Sequence, residues 1–457
     1  MNFNKRSINP TDFLFLSLEK RRQPMHIGGL LLFKIPDDAP ADYIQQAVQH
    51  FRATTQPPMP PYSDYLNGLT WEKDEEFDLD HHFRHVALPA PAQIKDLLRY
   101  ISQEHSALLD RAKPMWTCTL IEGIEGNRFA IYLKIHHALA DGVGAMRMIK
   151  KSLSHSADDP HFVPIWCLNP NQQSSQRTAK PQEKLSFTER VKNTLKSSQT
   201  VLTEIGKNII TPTQQAQHIP IYQAPKSILN QKIHASRRFS AQSYQLQRLR
   251  HIAQHFDVKI NDIILAMCSG ALRLYLQNHA QLPEKPLIAM VPASLRDDDT
   301  HLGNRITMIL ASLATDIAEP VQRLKAIQQS VQQSKNRMAR MTSGEILAYT
   351  GLSYGVIGLQ VASGAFPKHQ SFNVIISSFI TSQEPLYLNG AKLEAMYPAS
   401  VVVDGQAMNI TVATYLDQLD VGVIACRQSL PKVQKMLKYF EQTLQEYEKI
   451  ITSTVEK

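Results

Sequence analysis

The chain has 457 residues, and its 49 lysines and arginines exceed its 41 aspartates and glutamates to give a net charge of +8. A composition that is 43% hydrophobic and 20% charged suits a soluble globular protein and argues against general disorder. No apolar run approaches the roughly 18 residues that a membrane-spanning helix needs, and the widely spaced Cys118, Cys167, Cys268 and Cys426 argue against a disulfide framework or a zinc ribbon.

The first apolar stretch, residues 13–16, is flanked by Asp12 and Glu19, and no small-residue cleavage site follows it. It does not read as a signal peptide, so residence in the cytoplasm is expected. Residues 1–166 read as a first α/β unit. Its strands fall at 28–35, 69–71 and 129–135, and its helices near 42–54, 92–105 and 142–155. Prolines in residues 57–61 make a rigid spacer. Residues 167–225 change character and read as a linker or crossover, polar and without period over 169–184. Phe187, Val191, Leu195, Leu202 and Ile205 then recur at helical spacing beside Arg190, Lys192, Lys196 and Lys207. That basic amphipathic pattern suits a helix on an anionic membrane or lipid inclusion, and equally a helix packed on the protein itself.

Residues 226–457 read as a second α/β unit. A helix is expected over 258–278, with Asn261 as N-cap and Asp262 in its first turn. Strands follow at 286–292, 306–314 and 372–377, then a hairpin from 410–415 and 421–426, and a long helix over 431–451. Cys268 and Cys426 fall in patterns that make them buried, inert thiols.

The most informative segment is His136-His137-Ala138-Leu139-Ala140-Asp141-Gly142, between the strand at 129–135 and the helix that follows. Side chains alternate along a strand, so Phe129, Ile131, Leu133 and Ile135 share one face and His137 is next on it. An imidazole aimed into apolar surroundings stays neutral near pH 7, as a general base for a hydroxyl or thiol requires. Singly, each residue has a plain reading: a satisfied histidine pair, an N-cap Asp141 and a turn Gly142. Together, H-H-x-x-x-D-G rarely arises by chance.

Other signals exclude more than they assign. The basic balance fits nucleic acid, an anionic membrane or a phosphate-bearing cosubstrate. Nucleic acid is the weakest of these, because no helix-turn-helix, zinc-finger or aromatic-basic RNA motif occurs. The histidines at 81, 82 and 85 lack metal-ligand spacing, so no metal is expected. Gly142 and Gly144 lack the rest of a dinucleotide fingerprint, and no G-x-S-x-G elbow is present.

H-H-x-x-x-D-G is the signature of the CoA-dependent acyltransferase superfamily, and within it the chain resembles the bacterial wax ester synthase/acyl-CoA:diacylglycerol acyltransferases. Residues 10–20, 23–29, 80–84, 109–116, 260–262, 291–296, 389–393 and 416–427 carry the likeness. The resemblance implies an α/β architecture of two chloramphenicol-acetyltransferase-like sandwich lobes with an active-site tunnel between them. It implies transfer of a fatty acyl group from acyl-CoA, a cosubstrate rather than a bound cofactor, to a long-chain fatty alcohol or diacylglycerol. Peripheral association with the inner membrane face or lipid inclusions goes with it. His137 would be the general base, on its apolar strand face and at H-x-x-x-D spacing from Asp141. His136 would orient the loop, Asp141 would be structural with Arg296 as its expected partner, and Gly142 would allow close approach of backbone or pantetheine.

Asn261, with Asp262, resembles the family's Asn-Asp motif and suits either an oxyanion donor or a plain helix cap. Trp116 reads as packing, and residues 351–366 as a core helix or a wall of the acyl pocket. One departure stands out. Relatives usually carry an S-N-V-P-G-P-like turn after the strand at 372–377, where this chain has Ser377-Ser-Phe-Ile-Thr-Ser-Gln-Glu-Pro385. Rival readings are a transferase for short or small substrates, an amide-forming condensation unit and a non-catalytic lipid-binding protein.

Overall fold

Two six-stranded mixed sheets organise the described residues. The computed structural model describes residues 5–54, 56–159, 162–168, 224–294, 306–341, 346 and 370–455. In chain order the first half runs β1 (Lys5–Ser7), α1 (Pro10–Leu18), β2 (His26–Lys34), α2 (Tyr43–Arg52), β3 (Asp64–Asn67), β4 (Thr70–Lys73), α3 (Leu79–His82), β5 (Phe83–Ala92), α4 (Ile94–Glu104), β6 (Trp116–Ile124), β7 (Arg128–His136) and α5 (Gly142–Ser152). The second half runs β8 (Arg237–Gln245), α6 (Leu246–Phe256), α7 (Ile260–Gln277), β9 (Ile288–Ser294), β10 (Ile306–Ser312), α8 (Pro320–Ala339), β11 (Val374–Ser382), β12 (Tyr387–Leu388), β13 (Ala391–Ala399), β14 (Met408–Tyr415), β15 (Gln418–Cys426) and α9 (Lys435–Val455).

One large sheet has the order β12-β13-β2-β7-β6-β5 and the other β10-β9-β11-β14-β15-β8, while β1, β4 and β3 make a small third sheet. The first sheet is covered on both faces, so β7 reads as an almost continuous apolar run. Its Phe129, Ile131, Leu133 and Ile135 pack toward α2 and α5. Ala130 and Tyr132 pack on the opposite side, in the core shared with the second half. The alternation read from sequence is therefore the real partition of side chains.

Boundary 226 divides the sequence but not the sheets. Strand β13, from the second half, pairs antiparallel with β2 over Lys392↔Lys34 to Ala399↔Gly28 and so completes the first sheet. It also packs closely over β15, where a Cβ on Gly422 would collide with the carbonyl oxygen of Pro398.

Two further readings are corrected. Asn261 is not the N-cap of α7. Lys259, in extended conformation, takes that position, and its N–H is held at 3.2 Å by Asp262 Oδ2. The strand expected at 372–377 continues to Ser382, since its hydroxyl and β-branched residues contain no turn former. The amphipathic segment 187–207, residues 351–366 and Arg296 lie outside the described residues.

Candidate active site

Strand β7 ends on His136, which is 0% exposed. The His136 N–H donates to the Met115 carbonyl at 2.9 Å. Its Nδ1 accepts the Ala138 N–H at 3.1 Å. An accepting Nδ1 places the ring proton on Nε2, 3.4 Å from Glu19 Oε2.

Glu19 caps the C-terminal end of α1 and is nearly sealed from solvent. Its Oε1 accepts from Arg111 Nε at 3.0 Å and its Oε2 from the Met25 N–H at 3.1 Å. Burial pushes this carboxyl up. The His136 ring facing it, helped by Met25 and Arg111, outweighs burial and holds it below its ordinary value. The Met25 carbonyl in turn accepts the N–H of His137 at 2.8 Å. A chain of contacts thus runs from Arg111 through Glu19 and Met25 to the backbone of His137.

The His137 ring stacks on Phe15 of α1, with centroids 4.0 Å apart and planes 15° from parallel. Its Nδ1 is sealed from solvent and meets no partner in hydrogen-bond geometry. Burial pushes its pKa below the ordinary value of 6.5; its own backbone and Asp141 oppose the shift without cancelling it, and His136 adds to it. The result is a neutral imidazole with one ring face clamped.

Asp141 is the N-cap of α5, accepting the Gly144 N–H on Oδ1 at 2.6 Å. No basic side chain among the described residues is seen to pair with it. Gly144 is part of this cap, since a Cβ there would stand 2.9 Å from Asp141 Oδ1. A Cβ on Gly142 would meet nothing within 4 Å, so Gly142 faces open space.

Helix α5 packs against β11, and Ser378 of β11 donates its hydroxyl to Asn261 Oδ1 at 3.1 Å. Asn261 is thereby linked through β11 to the histidine-bearing elements, whereas Asp262 serves the cap of α7. His136, His137, Asp141 and Gly142 form one constellation at the junction of β7 and α5.

Phe15, Glu19, Met25 and Arg111 were not singled out from sequence. A signal for two of them existed: Asn9-Pro10-x-Asp12 is a helix start, and positions 15 and 19 are spaced to share one helix face. Trp116 is packing, as read. Its Nε1 donates to the Tyr62 carbonyl at 2.8 Å, and its ring stacks on His82 with centroids 4.5 Å apart. His82 is consumed by the same cluster. Its Nδ1 donates to the Trp116 carbonyl at 2.9 Å, and burial pushes its pKa down to about 4.

Comparison with known proteins agrees along the whole chain. The profile described as the wax ester synthase/diacylglycerol acyltransferase catalytic domain matches residues 8–264, and that of the WS/DGAT C-terminal domain matches residues 302–448. An O-acyltransferase WSD of Acinetobacter baylyi is 55% identical over 447 residues, 98% of each chain. A probable diacylglycerol O-acyltransferase of Mycobacterium tuberculosis is 36% identical, covering 97% of this chain and 98% of its own. A solved wax ester synthase/diacylglycerol acyltransferase from Marinobacter aquaeolei VT8 superposes with a TM-score of 0.78 at 41% identity, over 97% of this chain and 99% of that one. A condensation domain of the CDA synthetase, 12% identical with a TM-score of 0.53, shares the two-lobed fold alone. The chain belongs to the wax ester synthase/diacylglycerol acyltransferase family of O-acyltransferases.

Proposed function

We propose that this protein moves a long-chain fatty acyl group from acyl-CoA to the hydroxyl of a fatty alcohol or of diacylglycerol, giving a wax ester or triacylglycerol. The observation that carries the reading is the neutral, clamped His137 at the end of an apolar strand face. With Nδ1 sealed, Nε2 is the nitrogen left to meet an acceptor hydroxyl. It takes the hydroxyl proton as the oxygen attacks the thioester carbonyl. Collapse of the tetrahedral intermediate breaks the carbon–sulfur bond, and the imidazolium returns the proton to the departing thiolate. General-base assistance of this kind is worth roughly 10²- to 10⁴-fold, and alignment of two bound substrates adds to it.

The other residues support this chemistry by position. Glu19, His136 and Met25 fix the loop, and Asp141 anchors the helix start. Ser378 occupies Asn261 Oδ1, which leaves the amide N–H groups as candidate donors to the oxyanion.

Docking on a lipid surface belongs to the same reading. No helix among the described residues is long and apolar enough to cross a membrane. Yet Phe13 and Leu14 of α1 are 51% and 37% exposed, and Leu69 and Leu108 are 68% and 43% exposed. The Ile8 N–H donates to the Leu69 carbonyl, and Leu109 packs with Leu16, so the segments that carry these side chains meet at α1. Arg6, Arg21 and Arg22 lie near them in sequence, Arg6 paired with Asp64 and Arg22 with Asp404. Exposed apolar side chains of this kind suit contact with a lipid surface.

The test is product formation from palmitoyl-CoA with hexadecanol or with dipalmitoylglycerol, read as free CoA and by lipid chromatography. Wax ester or triacylglycerol is expected. A folded protein that makes neither contradicts the proposal.

A further inference from the structure

Strand β7 carries two buried polar groups that the chemistry at His137 does not use. Tyr132 and Lys134 alternate away from Ile131 and Leu133, and both reach the C-terminal end of α4. Lys134 Nζ donates to the Glu104 carbonyl at 2.9 Å and to the Ala107 carbonyl at 3.2 Å, which satisfies the end of that helix. The Tyr132 hydroxyl lies 2.6 Å from His105 Nδ1. The other ring nitrogen of His105, Nε2, lies 3.0 Å from the Ser400 carbonyl. A carbonyl only accepts, so Nε2 carries the ring proton. Burial keeps the ring neutral, with its pKa pushed down to about 3. Nδ1 is then an acceptor, and the Tyr132 hydroxyl donates to it. Tyr132 thereby locks the tautomer that keeps His105 bonded to Ser400.

Ser400 belongs to the second half. It begins the connection from β13 to β14, and that connection runs over the turn that precedes β2. The Asp404 N–H donates to Gln23 Oε1 at 2.9 Å, Asp404 Oδ2 pairs with Arg22 at 2.9 Å, and Val403 packs on Leu18 and Met25. Buried Gln23 donates in turn to the Leu18 carbonyl at 2.7 Å. On its own half the segment is anchored by the Ile233 N–H, which Asp404 Oδ1 accepts at 2.9 Å. The Met25 carbonyl is the group that accepts the His137 N–H at 2.8 Å. Residues 400–404 are therefore tied at one end to β7, through His105, and at the other to the turn that holds the backbone of His137.

Resting on the acyl-transfer reading above, we propose that residues 400–404 position His137 from the second half, with His105 and Gln23 as the positioning residues at either end. Neither touches the reacting atoms. His105 fixes the segment as it leaves β13, and Gln23 fixes the turn that receives the His137 N–H. Alignment of the base then depends on both halves, although the base and its loop belong to the first.

The experiment compares Tyr132→Phe, which frees the His105 tautomer by removing one hydroxyl, with Gln23→Met, which removes the bond to Asp404 at similar volume. Ser243→Ala, which loosens the separate tie of β13 to the second sheet, is the control. Steady-state kinetics with palmitoyl-CoA and hexadecanol should show kcat lowered about tenfold in the first two variants, with both KM values little changed. Hydrogen exchange read by mass spectrometry should quicken in the peptide that contains His137, while α9 keeps its protection. The control should exchange like wild type at His137. Wild-type kcat and wild-type exchange in both Tyr132→Phe and Gln23→Met overturn the proposal. Faster exchange across the whole chain, or at His137 in the control as well, overturns it too, because general loosening then explains the effect. If wild type makes no ester, the acyl-transfer reading fails, and exchange at His137 still decides whether residues 400–404 hold it.

Discussion

A histidine acts as a base only while neutral, and burial holds His137 below 6.5. Because the shift is downward, the neutral form persists from neutrality down to the lowered pKa. The kcat/KM profile should therefore be flat through pH 7 and lose activity only below about pH 6.5. A stopped assay across pH 5 to 8 checks this, and an acid limb centred above 7 would contradict it. Glu19→Gln keeps the shape of the side chain but removes the charge facing His136 and Arg111. A lower kcat is expected, by about tenfold on the scale of a misplaced catalytic group, with KM little changed. Steady-state kinetics that leave kcat intact would remove Glu19 from the positioning role. His137 was legible because strand alternation is local information. Glu19 and Phe15 were not, because their value depends on α1 folding against a loop more than a hundred residues later in the chain.

At the scale of elements, α5 begins where it does because Asp141 caps it through the Gly144 N–H. Asp141→Ala should cost about 1 kcal/mol of stability, and Asp141→Asn, which can still cap, only a fraction of that. Urea unfolding of the two variants checks the difference; equal losses would point to charge rather than capping. The cap was readable from sequence, since an Asp before a helical run is a strong start signal. The start of α7 misled for a related reason. Asn261 is a good N-cap by type, but the Asp262 carboxylate and the extended Lys259 define the cap two residues earlier. The segment after Ser377 shows the converse: with no Pro or Gly to turn it, β11 runs on to Ser382 and brings Ser378 to Asn261.

At the scale of the whole molecule, the two halves are joined by β13, which pairs with β2 and crosses β15. The buried Asp420 carboxylate accepts the Met396 N–H at 2.7 Å and the Ser243 hydroxyl at 2.6 Å, and so ties β13 to the second sheet. Gly422→Ala would drive a methyl group into the Pro398 carbonyl. It should destabilise the protein by about 1–3 kcal/mol, the scale of an overpacked core. Thermal melting checks this, and an unchanged midpoint would mean that the crossing yields easily. Sequence periodicity located about half of the described strands and did not mark a strand at Ala391–Ala399, so the exchange of β13 into the first sheet was not legible. The apolar patterns in each half were sufficient for two α/β units, while the boundary between them depends on long-range pairing.

The most direct test compares His137→Ala with His136→Ala on the same palmitoyl-CoA and hexadecanol assay, both checked for folding by circular dichroism. The account predicts that His137→Ala loses roughly 10²- to 10⁴-fold in kcat, while His136→Ala, which only loosens the loop, loses less. Retained turnover in a folded His137→Ala protein would contradict the assignment of the base and, with it, the mechanism.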